Sequence, residues 1–278
     1  MTDNTTFWGR FKRNRAAVLG LLFLSFITLL ALAAPLLFNQ DPFAIVDQPF
    51  LPPFGKWFLG TDALGRNIAA GITYGARTSL LIGAIATLVA LTLGVIVGAL
   101  AGYYGRWVDS ALMRITEFFQ TIPAFLFAIV LIAILSPSIR NIVIAIALVS
   151  WPPVARLVRG EFMRLRGQEF VQAALSLGMP SRTVIITQIL PNAISPVLVT
   201  GSLMVATSIL VEAALSFLGL GDPNAISWGF MIGAGRSFLS EGWWLCVIPG
   251  LAIIATVLSI NMVGDGLNDA LNPKLNRL

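Results

Sequence analysis

Apolar residues in this chain come in long blocks, unlike the short alternation of half-buried strands, and polar residues collect in the gaps between blocks. A helix needs roughly 20 apolar residues to cross a bilayer, because every backbone N–H and C=O must be paired inside the segment. Six blocks reach that length, at residues 16–38, 79–102, 113–135, 139–158, 191–218 and 245–264. The pattern predicts an all-α protein, a polytopic membrane bundle of six transmembrane helices. Pro123 in the third block and Pro152 with Pro153 in the fourth predict kinks or breaks, since proline brings no N–H to the helix ladder. Gly94, Gly98 and Gly102 recur every fourth position and predict close approach by another helix. Trp243 and Trp244, where the sixth block begins, are expected to anchor at the membrane interface.

The gaps differ in charge. With the N-terminus inside, 13 of the 18 Lys and Arg residues fall in inside segments, and that excess puts both termini in the cytoplasm. The expected organisation is a cytoplasmic N-terminal segment 1–15, a first span 16–38, an extracytoplasmic segment 39–78, a core 79–264 of five spans with a cytoplasmic loop at 159–190, and a cytoplasmic tail 265–278. The basic start and Ala31-Leu32-Ala33 also fit a cleaved signal peptide, but the apolar run continues to Phe38 and favours an uncleaved span. Segment 39–78 is long and carries four prolines, as binding loops and lids do; a passive loop on the membrane is the alternative.

Composition narrows the chemistry. The chain is 57% hydrophobic and 11% charged, against about 25% charged in soluble domains. Its net charge of +5 lies between apolar blocks, so membrane lipid and not nucleic acid is the expected partner. Histidine is absent and Cys246 is the single cysteine, which excludes an internal disulfide, a Cys/His zinc cluster and histidine acid–base catalysis. No metal site and no catalytic residue are expected. A GxxxxGK[ST] phosphate loop is missing too, because Gly55-Lys56 is followed by Trp57; this chain is not an ATPase.

The most informative gap lies between the fourth and fifth blocks. From Gln168, small or apolar residues recur at Phe170, Ala173, Ala174 and Leu177, the spacing of one helical face. Gly178 suits the left-handed position that ends a helix, and Pro180 discourages continuation. Ser181 is expected to cap a second short helix, with Val184, Ile185 and Ile189 facing its neighbours, before Pro191 opens the fifth span. Periodicity alone leaves open an amphipathic helix lying on the inner leaflet.

"QAALSLGMPSRTVIITQILP", residues 172–191, resembles the cytoplasmic EAA loop of importer-type ABC permeases, with Gln172 in place of the usual Glu and Gln188 in place of Ile. "LGTDALGRNIAAGITYGARTSL" (59–80, with Asn67 for Asp), "EAALSFLGLGDPNAISWG" (212–229) and "GDGLNDALNPKL" (264–275) are similar to blocks of the second permease of dipeptide, oligopeptide and nickel importers. The resemblance covers nearly the whole chain. It implies the type I ABC importer permease fold with both termini inside, and an assembly with a second homologous permease, two ATPase subunits and an extracytoplasmic substrate-binding protein. ATP and Mg would be held by the ATPase subunits, with no cofactor on this chain. It further implies that Glu169, Gln172, Ala173, Ala174, Leu177, Gly178 and Arg182 form the coupling surface against an ATPase. The outside residues Asp62, Arg66 and Asp222 are candidate contacts for the binding protein, the two aspartates also for a peptide amine, with loop capping the plainer role for both aspartates.

Glu212, inside the fifth block, is either part of the translocation pathway or a structural charge, since a carboxylate at that depth must face the bundle, a partner or water. The implied cargo is a dipeptide or oligopeptide; nickel, a metal chelate or opine, or another small solute are the alternatives. A stand-alone secondary transporter or channel is a different class, separable by whether transport needs ATP.

Overall fold

The structure is a computed structural model that describes residues 7–271. Its helices are α1 (Phe7–Arg13), α2 (Arg15–Leu37), α3 (Ile68–Tyr104), α4 (Arg106–Thr121), α5 (Ala124–Leu135) and α6 (Ile139–Arg166). They are followed by α7 (Glu169–Ser176), α8 (Ser181–Leu220), α9 (Trp228–Gly235) and α10 (Trp244–Leu271). Extended pairing among the described residues amounts to two isolated bridges, Ile45 with Arg66 and Thr61 with Asn67.

Five helices, α2, α3, α6, α8 and α10, are each long and apolar enough to cross a membrane. The third expected span is a broken one: α4 and α5 meet at 83°. The cause is local, because Pro123 pushes Ile122 to extended backbone (φ −94°, ψ 131°), where no helix continues. Pro152 and Pro153 do not break α6, which runs on past the expected residue 158 to Arg166. The difference is packing. Around those prolines α6 lies against the glycine ladder of α3, and a Cβ placed on Gly94, Gly98 or Gly102 would come within 2.5 Å of Val154 Cβ, 2.4 Å of Ala155 O and 2.6 Å of Arg159 O. Only glycine allows so close a seam.

Other boundaries move too, and α4 starts at Arg106 and not at residue 113. The second span begins at Ile68 and not at residue 79, so the outside segment ends at Asn67, whose side chain accepts from Ala69 N–H at 2.9 Å and caps α3. Pro191 does not open a separate helix, and Ser181 is a first helical residue and not a cap, because α8 runs unbroken from Ser181 through Pro191 to Leu215 before Gly219 (φ +84°) kinks its last turn. A wide π turn at Val184–Ile189, in which Leu190 N–H reaches Ile185 O, precedes Pro191 and lets the helix run through it. Finally, α10 continues to Leu271, inside the expected tail; residues 272–278 and 1–6, including Lys274 and Arg277, lie outside the described residues.

Packing defines two ends. At one, Phe11 and Ala17 pack on Gly266 near the end of α10, and the ends of α3 and α6 meet α7 and the start of α8. At the other, loop 38–67 is pinned to the α9–α10 corner: the Trp244 ring packs with Ile68 and Leu245, and its Nε1–H donates to Thr61 O at 3.3 Å. Trp244 is therefore 7% exposed, against the expected interface anchor, while its neighbour Trp243 is 55% exposed. A carbonyl within reach of the indole N–H is what draws one tryptophan inward and leaves the other out.

Candidate functional site

The loop at 159–190 is built from the end of α6 outward. Arg159 makes two hydrogen bonds to the carboxylate of Asp109 on α4, the Nη2–Oδ2 contact at 2.6 Å, and Arg166 lies over the Tyr103 ring at 5.5 Å. Both contacts tie the end of α6 to its neighbours. Gly167 turns the chain, Gln168 is extended, and α7 starts with Glu169 in its first turn, where an acidic side chain favours the helix dipole. Its far end is a Schellman stop: Met179 N–H reaches Ala174 O (3.2 Å), Gly178 N–H reaches Leu175 O (3.0 Å), and Gly178 has φ +79°.

α7 exposes much of the face its periodicity singles out. Val171 and Ala174 are buried and Leu175 is half-buried, against Phe162, Leu165, Val184 and Ile189; Phe170, Ala173 and Leu177 point outward, with Leu177 84% exposed and Phe170 42% exposed. The buried stripe is turned by roughly 100° from the one the alanines suggest, one residue's rotation on a helix. Ala174, at the border, belongs to the core. The i, i+4 pair Val171 and Leu175 was the available signal for the true inner face. Gln172 turns back, its Nε2–H donating to Arg166 O at 2.8 Å, so this departure from the family pattern is used within the loop. Glu169 and Arg182 are exposed, and neither forms an ion pair among the described residues.

The outer-end candidates separate. Asp62 accepts from Leu64 N–H and Arg66 N–H, both at 2.8 Å, which holds a tight turn. Arg66 stacks over Phe43 at 5.0 Å, and it shares with Asp62 a mostly apolar cavity of about 260 Å³ beside Phe230 and Met231 of α9. Asp222 does not join them: it accepts from Ile139 N–H (3.0 Å) and Asn224 N–H (2.9 Å) and caps the start of α6.

Glu212 is 1% exposed. It accepts from Ser216 Oγ–H at 2.7 Å, one turn on, and from Ser79 Oγ–H on α3 at 3.3 Å. Ser79 Oγ in turn accepts from Trp228 N–H at 3.3 Å, and the fully buried Trp228 ring donates to Ile72 O at 3.0 Å. The carboxylate thus joins α8, α3 and α9. Ser216 was findable by its i, i+4 spacing; Ser79 and Trp228 were not, because they are remote in sequence. The Asp109–Arg159 clamp was missed for the same reason.

Long apolar helices, a glycine seam and a short helix with an exposed apolar face at one end define a multi-pass membrane protein. Comparison with known proteins makes the class specific. Residues 94–277 match the family described as binding-protein-dependent transport system inner membrane component, and residues 5–53 match the N-terminal transmembrane domain of oligopeptide transport permease C. The chain belongs to that first family and is a multi-pass protein of the inner membrane, the permease part of an ABC importer that works with ATPase and partner permease subunits.

Its relatives include the dipeptide transport system permease protein DppC of Alkalihalophilus pseudofirmus, 42% identical over 95% of this chain and 88% of the relative. Another is the di/tripeptide transport system permease protein DppC of Pseudomonas aeruginosa, 38% identical over 97% of this chain and 91% of the relative. Among solved structures, an inward-facing conformation of the MetNI methionine ABC transporter matches with a TM-score of 0.60 over 73% of this chain and 96% of that one, at 15% identity, which speaks for the fold alone.

Proposed function

We propose that this chain forms half of the translocation pathway of an importer of dipeptides or oligopeptides, driven by two ATPase subunits, one of which binds α7. An extracytoplasmic binding protein delivers the cargo at the end that carries loop 38–67, and ATP with Mg is bound on the ATPase subunits. The cargo reading rests on relatives named as dipeptide and di/tripeptide permeases that align over at least 95% of this chain. The coupling reading rests on one observation: Phe170, Ala173 and Leu177 form an apolar face that the chain itself leaves uncovered, at the end where the positive-inside rule puts the cytoplasm.

How the contact would move the spans follows from the packing. Val171 and Ala174 are set in a cluster shared by the ends of α3, α6 and the start of α8, so a push on α7 loads three spans together. α8 carries the displacement furthest: at about 1.5 Å per residue it extends about 47 Å from Ser181 in the coupling loop to the Glu212 junction near the opposite end. Closure of the ATPases on ATP would draw the α7 helices of the two permeases together and open the pathway outward.

Leu177→Asp tests the contact. A charge on the docking face is expected to lower peptide uptake and ATPase recovery with the purified complex by about tenfold or more, with the permease itself as stable as the parent. Gly178→Leu adds a strain of about 1–2 kcal/mol at a left-handed position and projects a side chain into space that is open in this chain. Normal ATPase recovery and uptake in both variants would rule out α7 as the coupling helix. Uptake by reconstituted vesicles of nickel or a metal chelate, with no uptake of peptides, would overturn the cargo assignment and leave the coupling contact standing.

A further inference from the structure

The break in the third span leaves a cavity of about 650 Å³ between α4, the Ile122–Pro123 corner and α6. Glu117 and Gln120 line it from α4, and Pro153 and Arg156 from α6. By rise per residue, Pro153 and Arg156 lie roughly 21 and 26 Å along α6 from its outer start at Ile139, which puts Arg156 at the inner edge of a hydrocarbon core about 30 Å thick, as its place among the inside arginines requires. The same two helices carry a second acid–arginine set, Asp109 and Arg159, which closes into a two-bond pair. Glu117 and Arg156 do not: both are exposed in this chain, and neither forms a hydrogen bond or ion pair among the described residues. Two opposite charges held apart on the walls of one open cavity match a ligand that carries both.

We propose that this cavity is a way-station for the zwitterionic backbone of the transported peptide, with Arg156 receiving its C-terminal carboxylate and Glu117 its N-terminal ammonium. Arg is suited to the carboxylate by its two parallel N–H donors. Gln120 supplies further hydrogen bonding, and the uncharged wall of Phe119, Val149 and Pro153 accepts side chains of differing size. The cavity is open-sided in the single chain, as half of a pathway completed by a second permease has to be. The inference rests on the peptide reading above and deepens it.

The test uses the whole complex, reconstituted with its binding protein, and compares uptake of dialanine with that of its N-acetylated and C-amidated forms. Because the same binding protein feeds every variant, its own preference cancels in the ratio. Arg156→Gln is expected to lower uptake of dialanine about tenfold, the scale of one hydrogen bond to a charged group, and uptake of the amide no more than twofold. Glu117→Gln is expected to do the same for the free amine against the acetylated form.

A second measurement does not depend on those variants folding. In a Cys246→Ser background, Gln120→Cys is expected to be shielded from a thiol reagent by dialanine during turnover, and not by dialanine capped at both ends. Unchanged ratios in both charge variants, or equal shielding by free and capped peptide, would overturn the way-station while leaving peptide import intact. Shielding by phosphate or anionic lipid alone would reassign the charges to a headgroup. Failure of the parent complex to take up any peptide would overturn both readings.

Discussion

The two ends of the bundle solve opposite problems. At the outer end three buried polar side chains are satisfied inside the chain: Glu212 has Ser79 and Ser216, and the indoles of Trp228 and Trp244 each have a carbonyl. At the α7 end apolar groups are left unsatisfied, with Phe170 and Leu177 facing out. A closed polar network fixes one arrangement of helices, whereas an open apolar face contributes only when a partner covers it. Substitutions at the outer end should therefore act on stability, and substitutions on α7 on assembly and transport.

The largest effect on stability is expected at Glu212. Glu212→Leu would leave the Ser79 and Ser216 hydroxyls without their acceptor, at a cost of about 1–3 kcal/mol for each buried group, and thermal unfolding of the purified complex should report it. Glu212→Gln keeps an acceptor and should lose less than half as much. Should either variant abolish transport in a complex of undiminished stability, the contrast between the two ends would fail, because Glu212 would then be acting on cargo.

A smaller effect is expected from Trp244→Phe, which keeps the ring in its pocket and removes one hydrogen bond to Thr61 O. The cost should be about 1 kcal/mol, read as faster hydrogen exchange in loop 38–67 with α7 unaffected. Smallest is a pH effect in the same loop. The Lys56 ammonium and the Trp57 N–H, both bonded to Asp47, hold its carboxyl down from 3.8 to about 2. A carboxyl lowered on folding contributes order that is fully present above pH 3.8 and lost as the pH falls through about 2. Limited proteolysis at the Asp47–Lys56 turn should rise over that window, and Asp47→Asn should make it independent of pH. A flat profile in the parent protein would show that this exposed clamp does not order the loop.

Much of the architecture was legible because lipid makes backbone pairing local. Block length therefore located the apolar helices, although α3, α4 and α8 start, and α6 and α10 end, about seven to eleven residues outside the expected bounds. The candidate site was legible in part: Gly178 at φ +79° ends α7 where Gly-Met-Pro indicated. Its orientation was not. Val171 with Leu175 and Phe170 with Ala173 and Leu177 are two apolar stripes on one short helix, and hydrophobicity does not rank them.

What the sequence by itself determined is the set of helices, the end at which each gap lies, and the points where a proline or glycine makes a helix end possible. Tertiary structure alone decided which possibilities were realised: Pro123 breaks its span while Pro152 and Pro153 do not, Ala174 turns inward while Ala173 stays out, and Glu212 finds Ser79 across 133 positions of chain. The reason is the same in each case. Within lipid a helix satisfies its own backbone, but its kinks, its inner face and its buried charges are settled by neighbours that the chain brings together only on folding.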